Sequence, residues 1–187
     1  ARRDNGTIWI VYVGRITLQK GLEDFIDALI LCRPKIKNKF SFDIIGEGAL
    51  KTRLKTKYAS LVKEGVLIFS DWLNKEELLM KYQKAHIFAL PSLYEGMSNS
   101  LLEAMACGCM VIASNIAGSN ELVVNGKNGF LFDLQDKTAL AEVLVKVLNS
   151  KHDDITEMGR ASRQIAERYG WDEAAKKYID YFDRINA

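Results

Sequence analysis

The sequence predicts a doubly wound α/β domain, in which helices cover both faces of a Rossmann-like parallel sheet of about six strands. Short β-branched and aromatic runs alternate with segments whose apolar residues repeat at helical spacing. Gly, Pro, Asn and Ser residues punctuate the chain between these segments. The 187 residues are 48% hydrophobic and 27% charged, which is typical of one globular domain with a sizeable core.

Each strand is predicted from a short apolar run with the composition of a buried parallel strand. The predicted strands are residues 8–13, 40–45, 66–69, 87–90, 110–113 and 130–132. The apolar spacing between them predicts helices over residues 22–30, 50–61, 78–82 and 101–107. Residues 121–124 are expected to form at most a helical turn, and two or three helices close the chain. This alternation favours right-handed crossovers and a parallel sheet.

Composition and charge exclude several classes of protein. Lys and Arg total 26 and Asp and Glu total 24, so the net charge of +2 does not favour nucleic-acid binding. No apolar run is long enough to span a membrane, and the first residues do not resemble a secretory signal. We therefore expect a cytoplasmic location. Three cysteines suit reduced, packed thiols, because Cys107 and Cys109 have no neighbouring histidine or second cysteine pair for zinc.

Glycine and polar residues gather where four predicted strands end, and ligands of doubly wound sheets bind at those ends. The four segments are Gly14-Arg15 with Lys20 beyond it, Gly46-Glu47-Gly48, Ser70-Asp71-Trp72, and residues 91–100. Glycine lets a ligand approach the backbone, and helix N-termini with cationic side chains favour phosphate. The alternative is that Arg15 and Lys20 are solvated loop charges.

The familiar phosphate-binding motifs do not fit this sequence. It has no GxxxxGK[ST], and the glycines at 46 and 48 lack the third glycine of a dinucleotide site. A phospho-receiver domain would need carboxylates at the end of the first strand, where Gly14 and Arg15 stand. These absences leave the nature of an anionic ligand open.

Glu95 and Glu103 are separated by seven residues, with Glu95 in a loop and Glu103 about one turn into the next helix. Carboxylates accept hydrogen bonds from vicinal hydroxyls, so the pair could hold two sets of hydroxyls around a phosphate. Alternatively, Glu103 serves the helix dipole and Glu95 is solvated. A glycoside hydrolase also uses two carboxylates, but no aromatic-lined cleft is evident here.

Together these segments resemble the C-terminal, donor-binding domain of the GT-B glycosyltransferases of family 4. The resemblance runs from about Ile8 to the C-terminus, and its specific part is the E-x7-E block. It is carried by Val13-Gly14-Arg15, Lys20-Gly21, Gly46-Glu47-Gly48 and residues 91–108, PSLYEGMSNSLLEAMACG. The resemblance implies a retaining hexosyltransferase (EC 2.4), acting in polysaccharide biosynthesis without a metal or other cofactor.

The resemblance also implies roles for individual residues. Arg15 and Lys20 would bind the donor diphosphate, Glu95 a hydroxyl of the transferred sugar, and Glu103 the ribose hydroxyls. Gly14 and Gly46 would adjoin the donor, and Trp72 and Leu73 would pack on the base. Backbone N–H groups facing the sugar and phosphates would come from Gly96, Met97, Ser98, Asn99, Ser100 and Leu101.

The sequence departs from the family pattern at three places. Asp71 stands where members usually carry Gly, which affects the loop on the base side. His86 stands in the place of an Asp before the fourth strand, and we interpret it as structural. The stretch Gly118-Ser119-Asn120-Glu121 has Asn120 where the family's glycine-rich turn has Pro, and Glu121 would brace that loop.

By the same resemblance, residues 1–187 are a single nucleotide-sugar-binding domain, with residues 1–6 as a linker or chain start. The N-terminal acceptor domain would be missing, so the fragment would bind donor without transferring sugar to a glycan or lipid-linked acceptor. The longer protein could attach peripherally at the inner face of a membrane. The alternative function is a non-catalytic, nucleotide-binding regulatory module.

The end of the chain has an apolar and aromatic stripe at helical spacing. It consists of Trp171, Ala175, Tyr178, Ile179 and Phe182. In the family the terminal helix reaches back to the N-terminal domain. The alternative is that the helix packs on its own sheet.

Overall fold

The computed structural model of the protein describes residues 6–134 and 136–170. Its strands are β1 (Thr7–Val13), β2 (Lys39–Ile45), β3 (Leu67–Ser70), β4 (Ile87–Leu90), β5 (Met110–Ser114) and β6 (Gly129–Phe132). They form one parallel sheet in the order β3-β2-β1-β4-β5-β6. The strand order reverses between β1 and β4, which makes their carboxyl ends the topological switch point. The predicted fold class is confirmed.

The helices follow the predicted order, with two differences in extent. They are α1 (Leu22–Cys32), α2 (Lys51–Lys57), α3 (Ala59–Lys63), α4 (Lys75–Lys84), α5 (Asn99–Ala106), α6 (Lys137–Leu148) and α7 (His152–Ala166). The single helix predicted over 50–61 is wrong, because Tyr58 leaves helical geometry and separates α2 from α3. Helix α4 is longer than predicted, because a capping box formed by Asn74 and Glu77 starts it early. Residues 121–124 include a turn but no helix.

Two apolar clusters lie on opposite faces of the sheet, as the alternation of side chains along a strand requires. Ile10 and Tyr12 of β1 face a cluster that includes residues of α1, α2, α3 and α6. Val11 and Val13 face the other cluster, with α4, α5 and the end of α7. Helices cover both faces of the sheet, so the strand ends remain exposed. The loops at the carboxyl ends of the strands carry the polar groups.

Other predictions concern the remainder of the chain. His86 is buried just before β4, at the edge opposite the strand carboxyl ends, and its Nδ1 accepts the Trp9 N–H at 3.0 Å. Cys32 and Cys109 are buried, in agreement with packed thiols, whereas Cys107 is only partly buried. The stripe from Trp171 to Phe182 lies outside the described residues. Among the helices that are described, none is both long and apolar enough to cross a membrane.

Candidate functional site

The loops after β1 and β4 lie side by side at the switch point. The Leu93 N–H donates to the Gln19 carbonyl at 2.8 Å. The Gln19 side-chain amide donates to the Tyr94 carbonyl at 3.1 Å. These two hydrogen bonds hold together loops that are about 75 residues apart in sequence, so the predicted residues of both loops share one site.

Lys20 and Glu95 form an ion pair between these two loops. Lys20 ends a short 3-10 turn, Leu18–Lys20, and its side chain is 12% exposed, compared with 14% for Glu95. The Ser92 hydroxyl donates to the same Glu95 oxygen at 3.0 Å. The sequence indicated both charged residues but not their direct contact. The pair therefore presents a partly shielded cation and a carboxylate at one point of the sheet edge.

Arg15 lies in the loop after β1 and has an exposed side chain, which forms no ion pair within the described part of the chain. Its backbone carbonyl accepts the Tyr12 hydroxyl at 2.8 Å. Burial raises the pKa of Tyr12, and the Glu95 carboxylate raises it further. Tyr12 thus remains protonated and fixes the backbone from which Arg15 projects. Sequence reasoning read Tyr12 only as a strand residue, because nothing local signals this contact.

Helix α5 begins directly beyond the loop that carries Glu95. Ser98 is its N-cap and accepts the Leu101 N–H at 3.4 Å. The first-turn N–H groups of a helix have no partner within it, and they carry partial positive charge. Glu103 lies one turn into α5 as predicted, and its Oε2 accepts the Tyr82 hydroxyl at 3.1 Å. The N-terminus of α5 and the Glu103 carboxylate therefore follow Glu95 within eight residues of the chain.

Close backbone packing accounts for two glycines in the loops after β2 and β5. A Cβ at Gly46, where φ is +140°, would lie 2.0 Å from the Gly14 carbonyl oxygen. A Cβ at Gly118, where φ is +82°, would lie 2.2 Å from the Gly96 carbonyl oxygen. The chain's own backbone requires glycine at both positions. Gly118, in the turn of residues 118–121, therefore packs directly against the backbone of the loop after β4.

A second lysine, Lys51, joins the loops after β2 and β3. Its buried ammonium donates to Glu47 at 2.6 Å, to the Ser70 carbonyl at 3.2 Å and to Asp71 at 2.5 Å. Burial lowers the pKa of Lys51, but hydrogen bonds to Asp71 and Glu47 outweigh it and raise this pKa overall. The same bond from Lys51 lowers the pKa of Asp71. Sequence reasoning missed Lys51, since two of its acceptors are 19 and 20 residues away.

Trp72 and Leu73, the residues predicted to pack on a base, follow this lysine-centred cluster. The Trp72 side chain is 57% exposed, whereas Leu73 is partly buried against the apolar cluster of α4 and α5. The indole is thus accessible beside a loop that Lys51 fixes. Asp71, the departure from the family pattern, is a hydrogen-bond partner of that lysine.

The predicted site is an open edge. A cavity of about 290 Å³ lies elsewhere, between the end of α4 and the middle of β1, and none of the predicted site residues lines it. No group of three or more histidine, cysteine or acidic residues suited to a metal occurs in the described ranges. The geometry suits an extended anionic ligand lying along the strand ends, as in other doubly wound sheets.

The protein is thus a doubly wound domain with cationic, acidic and helix N-terminal groups at its switch point. Residues 2–165 match the family model described as glycosyl transferases group 1, and the chain belongs to this family. Its structural neighbours are GT-B glycosyltransferases. The chain spans about half the length of the curated relatives it matches, for example 44% and 45%.

Individual relatives show the extent of the similarity. The chain is 28% identical over 175 residues to the uncharacterized glycosyltransferase MJ1607 of Methanocaldococcus jannaschii, covering 92% of this chain and 44% of that protein. It is 35% identical over 141 residues to the UDP-Gal:alpha-D-GlcNAc-diphosphoundecaprenol alpha-1,3-galactosyltransferase of Escherichia coli, covering 74% and 36%. A solved C-terminal domain of the Francisella tularensis group 1 glycosyltransferase LpcC is 26% identical, with a TM-score of 0.72 and coverage of 86% and 84%.

Proposed function

We propose that the chain is the C-terminal, donor-binding domain of a retaining GT-B glycosyltransferase of family 4. The enzyme would move a hexose from a nucleoside diphosphate sugar to a glycan or lipid-linked acceptor. The observation that carries this proposal is the Lys20–Glu95 ion pair at the switch point, immediately before the N-terminus of α5. The Escherichia coli relative, whose name specifies UDP-Gal and a diphosphoundecaprenol-linked acceptor, supports the choice of substrates.

The proposed mechanism is electrostatic. Cleavage of the bond between the sugar's anomeric carbon and the diphosphate oxygen leaves the electron pair on the diphosphate. Lys20, Arg15 and the N–H groups at the start of α5 would stabilise that charge where it develops. Glu95 would accept a hydrogen bond from a hydroxyl of the transferred sugar. No metal enters this proposal.

The remaining predicted residues would hold the nucleotide. Glu103 would accept hydrogen bonds from the ribose hydroxyls, because an ionised carboxylate has only acceptor atoms. Trp72 and Leu73 would pack on the base, and the backbone of residues 96–101 would face the sugar and phosphates. Gly14 and Gly46 would adjoin the donor at the strand ends. These roles place the donor along one edge, from the loop after β3 to the loop after β4.

We further propose that the acceptor site belongs to a separate domain, so residues 1–187 bind donor without transferring sugar. The match to an isolated C-terminal domain of a group 1 glycosyltransferase supports this division. The share of the relatives' length that the chain spans also supports it. A cytoplasmic enzyme with its acceptor at a membrane surface is consistent with this division of labour.

A thermal-shift panel tests the proposal. UDP, GDP, ADP and their sugar conjugates are added to the protein, to Glu103→Ala and to Glu142→Ala, an exposed glutamate on α6 that serves as the matched control. Ligand at 100 times its Kd stabilises a protein by about 2.7 kcal/mol. In a domain of this size that raises Tm by roughly 5–10 °C. We expect a shift with one base, lost in Glu103→Ala and retained in Glu142→Ala.

The outcomes separate the candidate functions. No shift with any nucleotide, in this chain or in a longer protein that contains it, would contradict the donor-binding role. Donor binding without sugar transfer by the longer protein would instead favour the non-catalytic regulatory module. Transfer with inversion at the anomeric carbon, read by NMR of the product, would contradict the retaining assignment.

A further inference from the structure

Tyr82 connects helix α4 to Glu103, the carboxylate that is predicted to bind ribose. It lies on α4, is 2% exposed, and donates its hydroxyl to Oε2 of Glu103 at 3.1 Å. Its ring packs near Phe88 of β4, with 6.2 Å between ring centroids. The ring is therefore held by the core, and only the hydroxyl reaches the exposed glutamate.

Tyr82 keeps its hydroxyl proton, so the hydrogen bond to Glu103 persists over the physiological pH range. Burial raises the pKa of Tyr82, and the Glu103 carboxylate raises it further. Tyr82 consequently stays protonated at physiological pH. A buried tyrosine hydroxyl needs a hydrogen-bond partner, and here Glu103 provides it.

The contact limits what the Glu103 side chain can do. A free glutamate on a helix surface samples several rotamers, and fixing it on ligand binding costs conformational entropy. The hydroxyl of Tyr82 restrains the carboxylate before any ligand arrives and occupies part of the acceptor capacity of Oε2. Oε1 keeps its full capacity to accept hydrogen bonds. The arrangement is a preorganised acceptor beside the N-terminal half of α5.

We propose that Tyr82 is a positioning residue that fixes Glu103 and thereby sets the preference of the site for ribose over a sugar without hydroxyls. This inference rests on the proposed donor-binding function. Helix α4 supplies no predicted contact with the donor. The inference gives this helix a part in nucleotide recognition. The ligand class is a ribonucleoside diphosphate, with the 2′ and 3′ hydroxyls as the recognised groups.

The test compares ribonucleotides with nucleotides that lack both hydroxyls. Dissociation constants are measured by calorimetry for UDP, GDP and ADP and for their 2′,3′-dideoxy counterparts. The proteins are wild type, Tyr82→Phe, Glu103→Ala and Tyr58→Phe. Tyr58 is the matched control because it is also buried and donates to a carboxylate, Asp27 at 2.6 Å, in contact with α1 rather than the site.

We expect the wild type to bind its preferred ribonucleotide at least roughly tenfold more tightly than the dideoxy form. A hydrogen bond to a charged group contributes enough free energy for a change in affinity of that size. Tyr82→Phe should reduce this ratio at least threefold, while the affinity for the dideoxy form stays unchanged. Glu103→Ala should abolish the preference. Tyr58→Phe should retain the wild-type ratio even if its Tm falls.

Other results would overturn the inference in distinguishable ways. A wild-type ratio in Tyr82→Phe, or an equal loss of affinity for both nucleotide forms, would limit Tyr82 to a structural role while leaving donor binding intact. A wild type that binds both forms equally would remove the ribose contact of Glu103, and with it the role of Tyr82. No nucleotide binding by any variant or by wild type would overturn the proposed function itself.

Discussion

Two lysines on the same edge of the sheet differ in the number of acceptors they contact. Among the described residues, Lys20, between the loops after β1 and β4, contacts one carboxylate, Glu95. Lys51, between the loops after β2 and β3, contacts two carboxylates and a backbone carbonyl. An ammonium has three donors, so Lys51 is saturated whereas Lys20 has capacity for an incoming anion. The comparison supports the proposal that Lys20 binds a ligand, whereas Lys51 fixes a loop.

Replacing Lys20 should have the largest functional effect. Lys20→Ala removes the cation that would stabilise charge on the leaving diphosphate, which costs about 2.7–4 kcal/mol in comparable sites. We expect kcat to fall roughly 100- to 1,000-fold in the complete enzyme. Steady-state kinetics with donor and acceptor measure this change.

The control for this variant is Lys81→Ala. Lys81 donates to the buried carboxylate of Asp43 at 2.5 Å, outside the predicted site. Its loss should lower stability while kcat stays near the wild-type value. An unchanged rate in Lys20→Ala would remove Lys20 from the reaction and end the distinction between the two lysines.

Replacing Lys51 should affect stability more than transfer. Lys51→Met keeps most of the side-chain packing but loses three hydrogen bonds. The cost is moderate because Glu47 and Asp71, whose side chains are 48% and 83% exposed, regain water. We expect a loss of about 1–2 kcal/mol, which lowers Tm by roughly 2–8 °C. Calorimetry measures the change, and a 100-fold loss of kcat at unchanged Tm would place Lys51 in the reaction instead.

The same comparison shows how far the sequence could predict the molecule. The positions of the strands along the chain, and of most helices before β5, followed from periodicity, because burial imposes a local pattern on each element. The order of the strands in the sheet did not. Part of the candidate site could be proposed from the sequence because residues 95–103 form one continuous block. The partners Lys51, Tyr82 and Tyr12 could not. Their contacts join segments that only the fold brings together, and each looks locally like an ordinary helix or strand residue.

Removing the carboxylate of Glu95 should sharpen the assignment of Lys20. If a diphosphate replaces Glu95 as the partner of Lys20, then Glu95→Gln releases the lysine from competition. We expect nucleoside diphosphates to bind several-fold more tightly, since a partly buried ion pair contributes on the order of 1 kcal/mol. Transfer should still fall, because the sugar loses an acceptor. Calorimetric titration with UDP, GDP and ADP measures affinity, and weaker binding would contradict the exchange of partners.

The smallest effect concerns the pH dependence at Asp71. Lys51 lowers the pKa of Asp71 in the folded protein, so the carboxylate stabilises the fold above its unfolded pKa of about 3.9. That contribution is lost as pH falls through the lower, folded pKa. The wild type should therefore be more stable than Asp71→Asn near pH 6, and the difference should vanish in strong acid. Denaturant titrations at several pH values measure it.

A double-mutant cycle decides whether this dependence comes from the lysine. In a Lys51→Met background, Asp71→Asn should change stability much less, because the largest cause of the lowered Asp71 pKa has been removed. A persistent difference would mean that Asp71 acts through another group, and Lys51 would then hold the loop through Glu47 and the Ser70 carbonyl alone. Lys51 would in that case contact one carboxylate and one backbone carbonyl, and the contrast with Lys20 would rest on that carbonyl alone.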